Sequence, residues 1–177
     1  MIIKPDNEML SYSGRIDFDD RLAPVLVYAC SSIGMKFTGT SLKAVIANHR
    51  SCWTNELGYF IDGEQKRFTL SSDEEKKTYT LAEGLSEGTH ELLLFKRMDS
   101  CHTFTFYGFE IDDGAEVLPL PEKPKRKMEF FGDSVSCGEV SEAVEYVGKP
   151  DPEHDGEYSN SWYSYAWMTA RKLKDRK

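Results

Sequence analysis

The chain has 177 residues, of which 40% are apolar, and a formal net charge of −8. The apolar share suffices for a folded core, and the length allows either one domain or two small ones. The negative charge argues against a nucleic-acid partner, because phosphate groups select basic surfaces, and it suits a neutral ligand such as a sugar.

Targeting and cysteine patterns favour the cytoplasm. The N-terminal residues contain no apolar run long enough for a signal peptide, and nowhere do about 18 apolar residues follow one another, as a membrane-spanning helix requires. The four cysteines are far apart and lack a metal-binding spacing, so we expect reduced thiols at Cys30, Cys52, Cys101 and Cys137. The sequence therefore predicts a cytoplasmic protein with no metal, no cofactor and no membrane partner.

Residues 14–116 carry the pattern of short strands joined by turns. The candidate strands are 24–30, 32–39, 41–47, 57–61, 67–70, 78–81, 89–97 and 103–111. Asp62-Gly63 is a hairpin dipeptide between two of them, and Gly108 interrupts the alternation of the last one, which indicates a bulge. Seven or eight short strands without a helix predict an antiparallel β-sandwich of the jelly-roll type over residues 1–116.

The chain changes character after residue 116. Residues 117–127 contain three prolines and five charges, which is typical of an extended linker. A short apolar strand is predicted at 128–132, followed by a polar stretch and then by a helix that Ser159 or Asn160 caps. One strand and one helix cannot bury their own apolar faces. Residues 128–177 are therefore predicted to be the first βα unit of an α/β domain that continues past Lys177.

A serine stands where the predicted strand ends. In the run Gly132-Asp133-Ser134, a sharp turn would expose the serine hydroxyl at the carboxyl end of a sheet, where α/β folds place their sites. The Ser134 N–H could help to hold an oxyanion, and Gly132 lets the chain turn without a Cβ clash. Asp133 is interpreted as support for the turn through hydrogen bonds, with a catalytic acid as the alternative.

Four segments resemble the acetyl xylan esterases of carbohydrate esterase family 2, which are hydrolases of the SGNH or GDSL type. Residues 37–40 (Phe-Thr-Gly-Thr) and 60–63 (Phe-Ile-Asp-Gly) are similar to segments of that family's N-terminal jelly-roll domain. Residues 129–134 (Glu-Phe-Phe-Gly-Asp-Ser) are similar to its first hydrolase block, and residues 160–166 are similar to the helix after that block. The resemblance covers nearly the whole chain.

The resemblance implies metal-free hydrolysis of O-acetyl esters on plant polysaccharides, with Ser134 as the nucleophile and its N–H as one oxyanion donor. In that superfamily a glycine, an asparagine and a late histidine complete the site. We expect these three beyond Lys177, so that residues 1–177 alone lack the catalytic histidine. The implied partner is acetylated xylan or a related oligosaccharide, and the oligomeric state, including a homo-oligomer, stays open.

Some features allow a second interpretation. His154 lies in an acidic loop and is interpreted as solvated, with a metal site as the alternative. Cys137, close to the serine, is interpreted as packed. Trp53 and Tyr59 could stack on sugar rings, although aromatic residues in a sandwich are mostly core. A carbohydrate-binding module without catalysis is the rival function and a scaffold domain is a third; a serine on a strand-end turn favours the esterase.

Overall fold

The structure, a computed structural model, describes residues 1–174. The strands are β1 (Ile2–Ile3), β2 (Ser11–Ser13), β3 (Ile16–Asp17), β4 (Val25–Leu26), β5 (Ser32–Thr38), β6 (Leu42–His49), β7 (Glu56–Ile61), β8 (Glu64–Thr69), β9 (Lys77–Ala82), β10 (Thr89–Lys96), β11 (Thr103–Ile111) and β12 (Val117–Leu118). After them come helix α1 (Ser134–Cys137), two 3₁₀ turns (Val144–Tyr146 and Ser161–Tyr163) and helix α2 (Tyr165–Lys174). Within residues 1–174, neither α-helix is long and apolar enough to cross a membrane.

The strands form two antiparallel sheets, which confirms the predicted sandwich. One sheet has the order β3-β4-β11-β6-β9, with β1 beside β11; the other has the order β12-β5-β10-β7-β8, with β2 beside β5. Alternate side chains from both sheets meet in one buried core, as period-two patterning requires. The central core residues are Ile33, Met35, Phe37, Leu42, Ile46, Leu92, Leu94, Phe104, Phe106 and Phe109.

Two local predictions within the sandwich are confirmed. Asp62 and Gly63 join β7 to β8 with φ angles of 52° and 86°, and two successive residues with positive φ are what a tight two-residue hairpin needs. The register between β11 and β6 shifts between Phe106 and Gly108, which is the bulge. Gly108 has φ 133°, and a Cβ there would overlap the carbonyl oxygen of Ile3, so β1 can pair with β11 only because this residue is glycine.

The sheet continues into the segment that was predicted to be linker. Val117 and Leu118 form β12 and pair with Phe37 and Lys36 of β5. The prediction of a strand at 128–132 is wrong, because residues 119–133 form neither strand nor helix in the structure. A strand is maintained by hydrogen bonds to a neighbouring strand, and no described segment pairs with this one. The side chains of Met128, Phe130 and Phe131 are exposed, and that of Phe131 is 85% exposed.

The predicted C-terminal helix is divided in two. Asn160 caps the 3₁₀ turn at Ser161–Tyr163, where its side chain accepts a hydrogen bond from the Trp162 N–H. Ser164 then takes an extended conformation (φ −62°, ψ 146°) and ends that turn. Its hydroxyl oxygen accepts a bond from the Trp167 N–H at 3.2 Å, so Ser164 is the residue that caps α2.

The sandwich covers one face of this helical segment. The ring of Phe95 lies over Gly58 on the neighbouring strand, where a Cβ would overlap it. Trp162 packs on Phe95 and Phe60 at centroid distances of 5.8 and 4.4 Å, and Trp167 meets the edge of Phe95 at 5.3 Å. The sequence predicted that this helix needed cover from further chain. Part of that cover comes instead from the outer face of the second sheet.

Candidate functional site

Ser134 is the first residue of α1. The residue before it, Asp133, is the N-cap, and its Oδ1 accepts a hydrogen bond from the Val135 N–H at 3.1 Å. The Asp133 carbonyl oxygen also accepts from the Cys137 N–H at 3.2 Å. These are the hydrogen bonds expected of a residue that supports a turn, and both of these Asp133 oxygens accept from N–H groups of α1.

Gly132 lies where there is no room for a side chain. A Cβ at this position would overlap Ser136 Oγ and come within 2.8 Å of Ser136 Cβ. Its φ angle is not in the left-handed region, so the requirement for glycine comes from this close approach and not from backbone strain. Residues 132–136 therefore form a tight loop, which we call the serine loop. Gly132 and Ser136 are in contact at its two ends, and Ser134 lies midway between them.

The hydroxyl and the N–H of Ser134 form no hydrogen bonds to other described residues. The side chain is half-buried, and neither its hydroxyl nor its N–H forms a hydrogen bond within residues 1–174. The N–H is one of the first in the helix, and such groups have no partner within their own helix. The hydroxyl and the amide proton are thus both available to one incoming group.

The four histidines have contacts elsewhere within the described part of the chain. Their partners are Thr105 for His49, Asp62 and Ser86 for His90, Asp99 for His102 and Trp53 for His154. The prediction that His154 is solvated is wrong in part, because its ring packs 4.6 Å from that of Trp53 and its Nδ1 accepts from the Gly156 N–H. No three ligand residues among 1–174 are placed to hold a metal ion.

The two aromatic residues suggested for sugar stacking differ in position. Tyr59 is core: it is buried, and its hydroxyl donates to the Leu81 carbonyl at 2.8 Å. Trp53 is half-buried between His102 and His154 and lines a small cavity beside α1. Neither presents an open ring face to solvent in the way that a stacking platform requires.

Cys137, at the end of α1, is half-buried as interpreted. Burial raises the pKa of its thiol, and Asp99 raises it further. Lys96, a neighbour that the sequence did not reveal, lowers the pKa of this thiol. The Lys96 side chain is fully buried, and its Nζ donates to the Met98 and Asp99 carbonyls. Burial lowers the pKa of Lys96 to about 7. The thiol is therefore packed and mostly protonated.

A buried polar network, which we call the anchor network, joins the sandwich to α1 through Arg97, Glu142 and Asn160. Arg97 follows β10, its side chain is 2% exposed, and its Nη2 donates to Glu142 Oε2 at 2.8 Å. Glu142 Oε1 accepts from Asn160 Nδ2 at 2.6 Å. The Asn160 N–H donates to the carbonyl of Gly138, the residue that ends α1, at 3.0 Å. The sandwich thereby determines where α1, and with it Ser134, lies.

Backbone contacts support the anchor network on both sides. The Ser161 N–H donates to the Arg97 carbonyl at 2.9 Å, and the Ser161 hydroxyl donates to the Lys96 carbonyl at 2.7 Å. Gly138 has φ 78°, and a Cβ there would lie 2.7 Å from the Asn160 carbonyl oxygen. The segment after the serine is thus packed against the end of β10 without space for a larger residue at Gly138.

Replacing Arg97 by methionine is expected to destabilise the fold by about 1–3 kcal/mol, because the half-buried carboxylate of Glu142 loses the charged hydrogen-bond partner that Arg97 supplies. Urea unfolding monitored by tryptophan fluorescence measures this loss. Arg67→Met is the matched control: Arg67 approaches the same Glu142 at 3.9 Å, but its side chain is 49% exposed, so we expect a loss below about 1 kcal/mol. Equal losses for the two variants would contradict a special role for Arg97.

Comparison with known proteins identifies the sandwich. A family model described as the carbohydrate esterase 2 N-terminal domain matches residues 12–121. A cellulase/esterase from Acetivibrio thermocellus is 32% identical over 169 residues, which are 95% of this chain and 20% of that protein. An acetylxylan esterase/glucomannan deacetylase from Cellvibrio japonicus is 26% identical over 150 residues, covering 81% of this chain and 40% of that protein.

A solved structure extends the match to the segment that contains Ser134. A family two carbohydrate esterase from Clostridium thermocellum, in complex with cellohexaose, superposes with a TM-score of 0.81 at 30% identity. The superposition covers 93% of this chain and 48% of that one. The chain therefore spans less than half the length of these relatives, and the part shared with them includes the sandwich and most of the segment after it. On the family match and these relatives together, the chain belongs to carbohydrate esterase family 2.

Proposed function

We propose that this chain supplies the nucleophile of a serine carbohydrate esterase, which removes O-acetyl groups from acetylated xylan or hemicellulose-type oligosaccharides through an acetyl-enzyme. The single observation that carries the proposal is Ser134. It is the first residue of a short helix, and neither its hydroxyl nor its N–H forms a hydrogen bond within residues 1–174, in a chain of this family.

In the proposed reaction Ser134 Oγ attacks the acetyl carbonyl carbon, and the carbonyl oxygen becomes an oxyanion beside the Ser134 N–H. When the intermediate collapses, the bond from the acetyl carbon to the sugar oxygen breaks, and the sugar leaves as an alcohol after it takes a proton. Water then attacks the acetyl-serine, releases acetate and restores the hydroxyl. A general base must accept the serine proton during the attack and pass it to the departing sugar oxygen. No described residue is placed to do so.

The substrate class is inferred from charge and from the relatives. The chain carries a net charge of −8, which suits an uncharged polysaccharide better than an anionic one. One relative is named for activity on acetylxylan and glucomannan, and the solved relative was crystallised with cellohexaose. Xylan, glucomannan and cellulose share a backbone of pyranose rings joined by β-1,4 linkages. We propose that a site beside Ser134 accepts such a chain.

Binding of sugar without catalysis is the second candidate function, and the cellohexaose complex of the relative favours it. The two functions make different demands on Ser134. A binding site needs only a surface for the sugar rings, whereas the esterase needs the hydroxyl itself. Formation of a covalent intermediate at this residue therefore separates them.

The direct test is to trap the acetyl-enzyme. The complete protein is mixed with acetylated xylo-oligosaccharide, quenched in acid within the first turnover and digested for mass spectrometry. We expect one acetyl group on the peptide that contains Ser134, together with release of acetate in the steady state. Acetate release accompanied by acetyl on a different residue would overturn the assignment of the nucleophile, and binding without any release would support the second candidate.

A further inference from the structure

The residue two positions after the serine is hydrogen-bonded to the first residue of α2. Ser136 Oγ and Tyr165 OH lie 2.8 Å apart. The Tyr165 ring also meets the edge of Phe130 at a centroid distance of 6.4 Å. The Tyr165 side chain is 53% exposed, so burial in a core does not explain its position.

This contact bears on both ends of the serine loop. Ser136 Oγ occupies the space that a Cβ of Gly132 would need, and Tyr165 OH lies 3.9 Å from the same point. Gly132 and Ser136 are each two residues from Ser134. Both hydroxyl groups therefore lie beside Gly132, and the hydroxyl of Ser136 links the residues two positions before and two positions after Ser134.

Among residues 1–174, few other contacts restrain the loop on this side. Asp133 caps α1 from within the turn, and the anchor network reaches α1 at its far end, through Gly138. Since α1 has only four residues, its own hydrogen bonds cannot fix its direction firmly. The contact from Tyr165 to Ser136 ties the first turn of α1 to the longer α2.

We propose that Tyr165 is a positioning residue that acts through Ser136 and sets the direction of the Ser134 hydroxyl. This inference rests on the proposed function of Ser134. A nucleophile must meet the carbonyl carbon in a near-attack geometry, and misplacement by about 1 Å can cost on the order of a hundredfold in rate. Loss of one hydroxyl contact permits a smaller displacement, so a loss of about tenfold in kcat is expected.

The experiment compares Tyr165→Phe, Ser136→Ala and the double variant of the complete protein in hydrolysis of 4-nitrophenyl acetate and acetylated xylo-oligosaccharide. Each single variant removes one hydroxyl and keeps the remaining shape, and the double variant removes both hydroxyls. We expect each of the three to lower kcat by about the same factor, close to tenfold, with KM unchanged. Because both groups act through one contact, removing the second should add no further loss.

Tyr163→Phe is the matched control. Tyr163 is also exposed and its hydroxyl also forms one side-chain hydrogen bond at 2.8 Å, but the partner is Gln65 of the sandwich. This variant should keep wild-type kcat. A melting temperature within a few degrees of wild type should accompany all four variants, so that a change in kcat cannot be ascribed to unfolding.

Three outcomes overturn the inference: kcat unchanged in Tyr165→Phe; a rise in KM at constant kcat, which would mean that Tyr165 contacts the sugar; or losses that multiply in the double variant, which would mean that the hydroxyls act separately. Failure of the proposed function has a different signature. In that case Ser134→Ala itself retains activity, whatever the Tyr165 variant does.

Discussion

Ser134→Ala in the complete protein is expected to lower acetate release from acetylated xylo-oligosaccharide by at least about a thousandfold. A serine that is paired with its base contributes several orders of magnitude to the rate, and without it only substrate binding and oxyanion stabilisation remain. The measurement is steady-state release of acetate, with a detection limit low enough to follow the residual rate.

The fold should tolerate this change. The Ser134 hydroxyl forms no hydrogen bond within residues 1–174, and alanine is the best helix former, so the free energy of unfolding should change by less than about 0.5 kcal/mol. Binding of the oligosaccharide, measured by calorimetry, should stay within a few-fold of wild type. Ser51→Ala, at an exposed serine in the loop after β6, is the control and should keep full activity. If the folded Ser134→Ala protein kept a tenth of wild-type turnover, the assignment would be wrong.

The sandwich was predictable because its signals are local. Period-two alternation, the dipeptide Asp62-Gly63 and the interruption at Gly108 each act within a few residues. The order of the strands in the sheets is not local: β5 lies beside β10, and β6 lies beside β11, more than fifty residues later in the chain. The sequence also did not reveal β12, because Val117 and Leu118 pair with β5 from within a proline-rich segment that is typical of a linker.

The candidate site was predictable only where a short motif carries it. The run from Gly132 to Ser134, together with its resemblance to a hydrolase block, indicated the serine and its turn. The anchor network joins residues 45 and 18 positions apart, and an arginine at the end of one strand or a glutamate in an acidic loop looks like a surface charge until its partner is known. The strand at 128–132 failed for the opposite reason: its local pattern is clear, but a strand also needs a neighbour.

Residues 1–177 by themselves are expected to hydrolyse 4-nitrophenyl acetate no faster than the same fragment with Ser134→Ala. A serine hydroxyl is a weak nucleophile until an adjacent base accepts its proton, and that base must be held within about 3 Å. Three of the four histidines belong to the sandwich. His49 lies in β6, His90 lies in β10, and His102 is the residue immediately before β11. Their rings bind other sandwich residues.

His154 is the one serious objection, because it comes after the serine in sequence and a loop can fold back. Its ring packs on Trp53, and its Nδ1 accepts the Gly156 N–H at 3.1 Å, which holds the ring against the sandwich. To reach Ser134 it would have to leave both contacts and be supported elsewhere, and catalytic bases need rigid support. His154→Gln in the complete protein should therefore keep near wild-type kcat.

The decisive comparison measures aryl-acetate hydrolysis by residues 1–177, by the same fragment with Ser134→Ala and by the complete protein at equal concentrations. Circular dichroism should first show that the fragment retains the β-rich spectrum of the sandwich, so that inactivity cannot be ascribed to unfolding. We expect the two fragments to coincide and the complete protein to be faster by several orders of magnitude. Serine-dependent turnover by the fragment at the rate of the complete protein would mean that a base within residues 1–177 reaches Ser134. His154 would then be the first residue to replace, because it is the histidine closest to Ser134 in the sequence.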